Sequence, residues 1–124
     1  MKLHANAPSS LNVFTSYGAD FVAVNQVRHA GSIVVTPTSV EPWRPIGFDD
    51  LTSEDFAALL AWKPEVVLLG TGERLRFPHP QLTKALTQQQ IGVEAMDVSA
   101  LCRTFNILVA EDRRVVAAVL LGSL

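Results

Sequence analysis

Residues 64–74, Pro64-Glu65-Val66-Val67-Leu68-Leu69-Gly70-Thr71-Gly72-Glu73-Arg74, decide the fold. Pro64 stops what precedes it, four apolar residues follow without a break, and two glycines then turn the chain. An apolar run of this kind is how a strand covered on both faces reads, the usual state of parallel strands in α/β domains. On its N-terminal side, Thr52 with Asp55 three residues later resembles a capping box, and Leu51 and Phe56 occupy the positions of a hydrophobic staple. Phe56, Leu59 and Leu60 then form one apolar stripe on a helix that Pro64 ends. On its C-terminal side, Pro80 opens a second helix with Leu82, Ala85 and Leu86 inward and Gly92 as its exit.

Residues 93–96 read as a strand, and Asp97 as the N-cap of a third helix. Val98, Leu101, Cys102, Phe105 and Leu108 place one apolar face on that helix. Residues 112–114 form a charged turn, and residues 115–121 a last buried strand. Before residue 51 the pattern differs. Val13 with Thr15, residues 21–27 and residues 33–36 look like short strands, with Gly31 suggesting a hairpin between the last two. Pro37, Pro42 and Pro45 are expected to exclude regular structure from residues 37–47, with Trp43 either an internal plug or an exposed anchor. The expectation is a single α/β domain over residues 11–124 whose later strands are parallel or mixed, with an N-terminal hairpin region and three helices, after a flexible segment 1–10.

Composition narrows the function. Ten Lys+Arg against twelve Asp+Glu give a net charge of -2, and without a cationic surplus nucleic acid is not an expected partner. One cysteine, Cys102, allows no intrachain disulfide, and it falls on the apolar stripe as a packed small hydrophobe. The three histidines, His4, His29 and His79, show no metal-ligand spacing, so no metal is expected. No secretory or transit pattern opens the chain, and the longest apolar run, residues 115–121, is too short to span a bilayer. A cytoplasmic protein is expected. Asp49, Asp50, Glu54 and Asp55 crowd a helix start, where the dipole alone accounts for them.

Ligands of open α/β sheets bind beyond the carboxyl ends of the strands. Two such ends are named here: Gly70-Thr71-Gly72-Glu73-Arg74 and the helix start at Asp97. If their strands are neighbours, the glycine loop and the helix N-terminus share a crevice, with Arg74 or Arg76 as its positive charge and Arg103 and Asn106 on its wall. The loop is neither a dinucleotide fingerprint, since Leu75 takes the third glycine's place, nor a P-loop. Its plainer reading is a tight turn, and that of Asn106 is a buried amide tying down a loop. No catalytic residue set can be picked out.

Three stretches together resemble one family. They are Pro37-Thr38-Ser39-Val40 with Trp43, then Gly70-Thr71-Gly72-Glu73-Arg74, then Thr104-Phe105-Asn106-Ile107-Leu108-Val109 with Val115-Val116-Ala117-Ala118. Their order and spacing are similar to those of the Mth-type domain family, which includes an assembly factor of mitochondrial respiratory complex I and an adipogenesis-associated protein. The resemblance implies a single three-layer α/β domain with a central mixed sheet and no established activity or cofactor, in a bare bacterial form without a targeting extension. On it rests the leading expectation, a non-catalytic accessory domain binding a protein partner, such as subunits of a membrane complex, through Trp43, Arg44 and Phe48 or through the crevice. The alternatives are a small anionic-ligand domain or enzyme using the crevice, and an oligomeric scaffold.

Overall fold

The computed structural model describes residues 10–121, so all but one residue of the segment 1–10 lies outside it. Strands β1 (Phe14–Tyr17), β2 (Val22–Val24) and β3 (Val27–His29) form a small antiparallel sheet. There follow β4 (Ile33–Val35), β5 (Val40–Pro42), helix α1 (Ser53–Ala57), β6 (Val66–Gly70), helix α2 (Lys84–Thr87), β7 (Gly92–Met96), helix α3 (Val98–Ala110) and β8 (Val115–Val119). The second sheet has the order β5-β4-β8-β6-β7. β6 runs parallel to β7 and β8, while β4 runs antiparallel to β5 and β8, so the sheet is mixed.

The period of two along each strand makes two cores. Val115, Ala117 and Val119 of β8 pack with Leu68, Ile33 and Val35 toward α3 and the small sheet. Val116, Ala118 and Leu120 pack with Val67, Leu69 and Val34 toward Trp43, Phe56, Leu59 and Leu86. The central mixed sheet thus lies between two covering layers, as expected for an α/β domain with three helices.

Five local expectations are corrected. Residues 21–27 are not one strand: Asn25 (φ 49°) and Gln26 (φ 71°) both adopt the left-handed region and make the two-residue turn of the β2–β3 hairpin. Gly31 is therefore no hairpin turn, and β3 and β4 lie in different sheets. Residues 37–47 are not wholly irregular either, because β5 includes Pro42. Trp43 N–H donates to the Ser32 carbonyl and Thr36 N–H to that of Ser39, so by alternation Pro42 turns its missing N–H to the open edge, where no ladder bond is lost. The second helix is only four residues long. Pro80 starts turns rather than the helix, Gly92 begins β7, and the left-handed exit residue is Gln90 (φ 63°). On α3 the apolar face ends on buried Val109, with Leu108 only half-buried.

The capping box at α1 forms as expected. Thr52 Oγ1 accepts from Asp55 N–H, and an Asp55 carboxylate oxygen accepts from Thr52 N–H at 2.8 Å. Buried Leu51 and Phe56 share the second core. Arg44 adds a fork to the same carboxylate, Nε at 2.8 Å from Oδ1 and Nη2 at 2.7 Å from Oδ2, and also reaches Asp50. The guanidinium foremost, and Thr52 after it, hold the Asp55 carboxyl below its ordinary value of 3.8. A carboxyl with a lowered folded-state pKa contributes stability that is complete above the unfolded value and lost as pH falls through the folded one. Thermal melts of Asp55→Asn should lie well below wild type at neutral pH, with the gap closing as pH drops below 3.8. Thr52→Ala should cost about 1 kcal/mol, less than Asp55→Asn, because it keeps the Arg44 fork.

Candidate functional site

β6 ends at Gly70 for a packing reason. A Cβ there would lie 2.9 Å from Leu101 Cδ1, so the glycine lets α3 close onto the sheet. Thr71 is buried and pins the loop that follows. Its hydroxyl donates to the Arg74 carbonyl at 2.7 Å and accepts from Arg76 N–H, while its own N–H donates to the Met96 carbonyl at the end of β7. Gly72 turns the chain at φ 90°, a conformation that favours glycine.

β6 and β7 are neighbours, so the loop and the start of α3 share a crevice. A pocket of about 390 Å³ is lined by Gly72, Glu73, Asp97, Val98 and Ser99 on one side and by Tyr17, Gly18 and Ala19 on the other. A second, of about 240 Å³, lies beyond Gly72 and brings Arg74 and Arg76 together with Phe48 and Asp49. Arg76 joins these loops, its guanidinium 5.3 Å from the centre of the Phe48 ring and 4.0 Å from Asp49. The wall supplied by Tyr17, Gly18 and Ala19 was absent from the sequence reading. Its one signal was Gly18, whose missing Cβ makes room for the Phe21 ring.

The helix start is less open to an anion than its position suggests. Val98 N–H donates to the Gly72 carbonyl and Ala100 N–H to Asp97 Oδ1 at 2.8 Å. Two amides that an anion would use are thus engaged, and the charged side chains lining the larger pocket, Glu73 and Asp97, are carboxylates. The Arg74 side chain is exposed and makes no hydrogen bond or ion pair with another described residue.

Asn106 and Arg103 do not stand on this wall. Asn106 is buried two turns further along α3, where Oδ1 accepts from Phe14 N–H and Nδ2 donates to the Phe14 carbonyl, each at 2.8 Å. The amide acts as a one-residue strand partner for β1, beside the edge-on contact of Phe14 with Phe105. Arg103 reaches the crevice only through Ser99, whose hydroxyl it meets at 2.9 Å and which in turn lies 3.1 Å from Tyr17 Oη. Trp43 is an internal plug, 8% exposed and edge-on to Phe56, so its ring is no exposed anchor. Arg44 is engaged by Asp50 and Asp55, and Phe48 is half-buried under Arg76. Cys102 is fully buried and burial pushes its thiol up to about 12, which keeps it protonated and unreactive at neutral pH.

Among the described residues no three His, Cys, Asp or Glu side chains are grouped to hold a metal ion, and no helix is long and apolar enough to cross a membrane. Removing the Asn106 amide leaves a buried N–H and a buried C=O unpaired. Asn106→Ala should therefore lower the unfolding free energy by about 2–4 kcal/mol in urea titrations. A ligand-contacting residue would instead leave stability nearly unchanged.

The model of a family described as a protein of unknown function, DUF498/DUF598, matches residues 14–120. A bovine relative, named NADH dehydrogenase [ubiquinone] 1 alpha subcomplex assembly factor 3, is 35% identical over 107 residues, covering 85% of this chain and 58% of the relative. The chain thus spans little more than half the length of that curated relative. A crystal structure of a Bordetella parapertussis protein is 42% identical, with a TM-score of 0.83 over 93% of this chain and all of the other. A solution structure from Bordetella pertussis, described as a Mth938-like domain, is 36% identical, with a TM-score of 0.80 over 99% of this chain and 94% of the other. The chain belongs to the DUF498/DUF598 family, and the Mth-type resemblance of its three motif stretches is that membership.

Proposed function

We propose that this protein is an assembly-factor-like accessory domain that binds a protein partner at the rim formed by the Gly70–Arg74 loop and its neighbours. The observation that carries the reading is a set of exposed apolar side chains on the loops that Arg76 joins. Phe77 is 74% exposed and Leu75 47%, on either side of Arg76, and Ile46 is 56% exposed, two residues before Phe48. Apolar side chains held on ordered loops beside a concave surface are what a docking partner covers. The name of the bovine relative suggests the partner class, subunits of the respiratory NADH dehydrogenase complex.

Tagged wild-type protein should recover subunits of that complex from detergent-solubilised membranes of its host. The Leu75→Ser/Phe77→Ser double variant should recover none while keeping its melting temperature. A host deleted for the protein that still assembles the complex at normal levels would overturn the reading.

One observation favours a second reading, a small anionic ligand: Arg74 stands beside the Gly72 turn without an ion-pair partner among the described residues. On that reading, inorganic phosphate, nucleotides or acyl-CoA compounds should raise the wild-type melting temperature by several degrees and leave Arg74→Ala unmoved. An equal response in both proteins excludes Arg74 as the anion's contact.

A further inference from the structure

Both tryptophans of the chain line one groove, of about 370 Å³, between the edge strand β5 and the helical segment 53–62. Its floor is apolar. Val34, Pro42, Ala58 and Leu59 surround the nearly covered indole of Trp43 and the half-buried one of Trp62. Its rim is acidic, with Glu41 on β5 and Glu54 in the first turn of α1. Both glutamates are exposed, and neither side chain makes a hydrogen bond or ion pair with another described residue. The remaining charges of the lining are Arg44 and Asp55, which satisfy one another. The groove therefore offers two uncompensated carboxylates above an aromatic floor.

Among the described residues the neighbouring sheet edge is open, since β4 is the one described strand paired with β5. The alternation that turns Pro42 outward also turns Val40 outward, so the edge presents the Val40 N–H and carbonyl and the Pro42 carbonyl. An extended segment laid along this edge finds backbone partners beside the groove.

We propose that this groove binds an extended peptide segment of a partner protein that carries arginine beside apolar side chains. Guanidinium is the cation this surface fits. It pairs with a carboxylate through two parallel N–H bonds, stacks flat on an indole and is more weakly hydrated than an ammonium. The apolar side chains fill the floor, and Glu41 and Glu54 set the sign of the charge. An acidic segment of the same apolar content meets like charge on both sides. This site is separate from the rim of Leu75 and Phe77, and binding at one does not depend on the other.

Because Trp43 and Trp62 are the chain's only tryptophans, intrinsic fluorescence reads the groove directly. The full-length protein is titrated at low ionic strength with acetyl-Val-Arg-Ile-Arg-Val-amide and, separately, with acetyl-Val-Glu-Ile-Glu-Val-amide. The arginine peptide should give a saturable shift in emission that weakens with added salt, and the glutamate peptide none. The double variant Glu41→Arg/Glu54→Arg should bind the arginine peptide about tenfold more weakly, as two reversed rim charges imply. It should gain a response to the glutamate peptide. Neither glutamate side chain makes a hydrogen bond or ion pair with another described residue, and an unchanged far-ultraviolet circular dichroism spectrum checks that the variant is folded. The proposal is overturned by equal responses to the two peptides or by no saturable response to either. It is overturned as well by self-association in sedimentation that charge reversal abolishes, which would make a second copy of the chain the occupant.

Discussion

A strand whose two faces are both apolar cannot rest on one layer, and that constraint organises this molecule. Every residue of β8 from Val115 to Val119 is buried, and the chain must therefore supply cover on both sides of it. α3 and the small β1–β3 sheet serve one side. The Trp43 segment, α1 and α2 serve the other. Ala117 and Ala118 occupy opposite faces at the centre of this strand, and their small side chains let both layers approach closely. The cover is uneven in quality. α3 has an N-cap and thirteen residues, whereas α2 is a single turn held by Leu86, and the Trp43 segment depends on the Arg44–Asp55 fork.

Several residues whose chemistry suggests a site are employed in holding the layers together. Gly70 makes room for Leu101, Thr71 links three backbone positions, and Asn106 pairs with the backbone of Phe14. Each polar group is satisfied within the fold. What remains available around the rim is of a different kind: Phe77, Leu75, Ile46 and Arg74 are exposed on loops whose positions the buried residues set. A surface of this composition is suited to covering by another macromolecule, and the buried Cys102 adds no nucleophile to it.

The core was legible where one local signal dominated. The run Val66-Val67-Leu68-Leu69, the Thr52–Asp55 box and the Asp97 cap each announce an element, and each forms. Reading failed where tertiary context outweighed local preference. Asn25-Gln26 lacks the glycine that usually marks a two-residue hairpin, yet both residues take positive φ, with Asn25 N–H bonded to the Val13 carbonyl. Pro42 looks like a strand breaker until the strand is known to be an edge. The partners of Asn106 lie 92 residues away, a distance no periodicity can bridge. The opposite wall of the crevice comes from the turn between β1 and β2, and the pattern names no partner for the first of these strands and the wrong one, residues 33–36, for the second.

The order of the strands also governs how the chain meets its solvent during synthesis. β8, the centre of the sheet, is the last of the described strands to leave the ribosome, after β4, β5, β6 and β7 have already emerged. Until residues 115–119 arrive, β4 and β6 each present an unpaired edge of apolar residues to the cell, with no neighbour to close the gap between them. The nascent domain is thus a clamp with an empty slot, and a factor that shields exposed strand edges on emerging chains has its natural task in that interval.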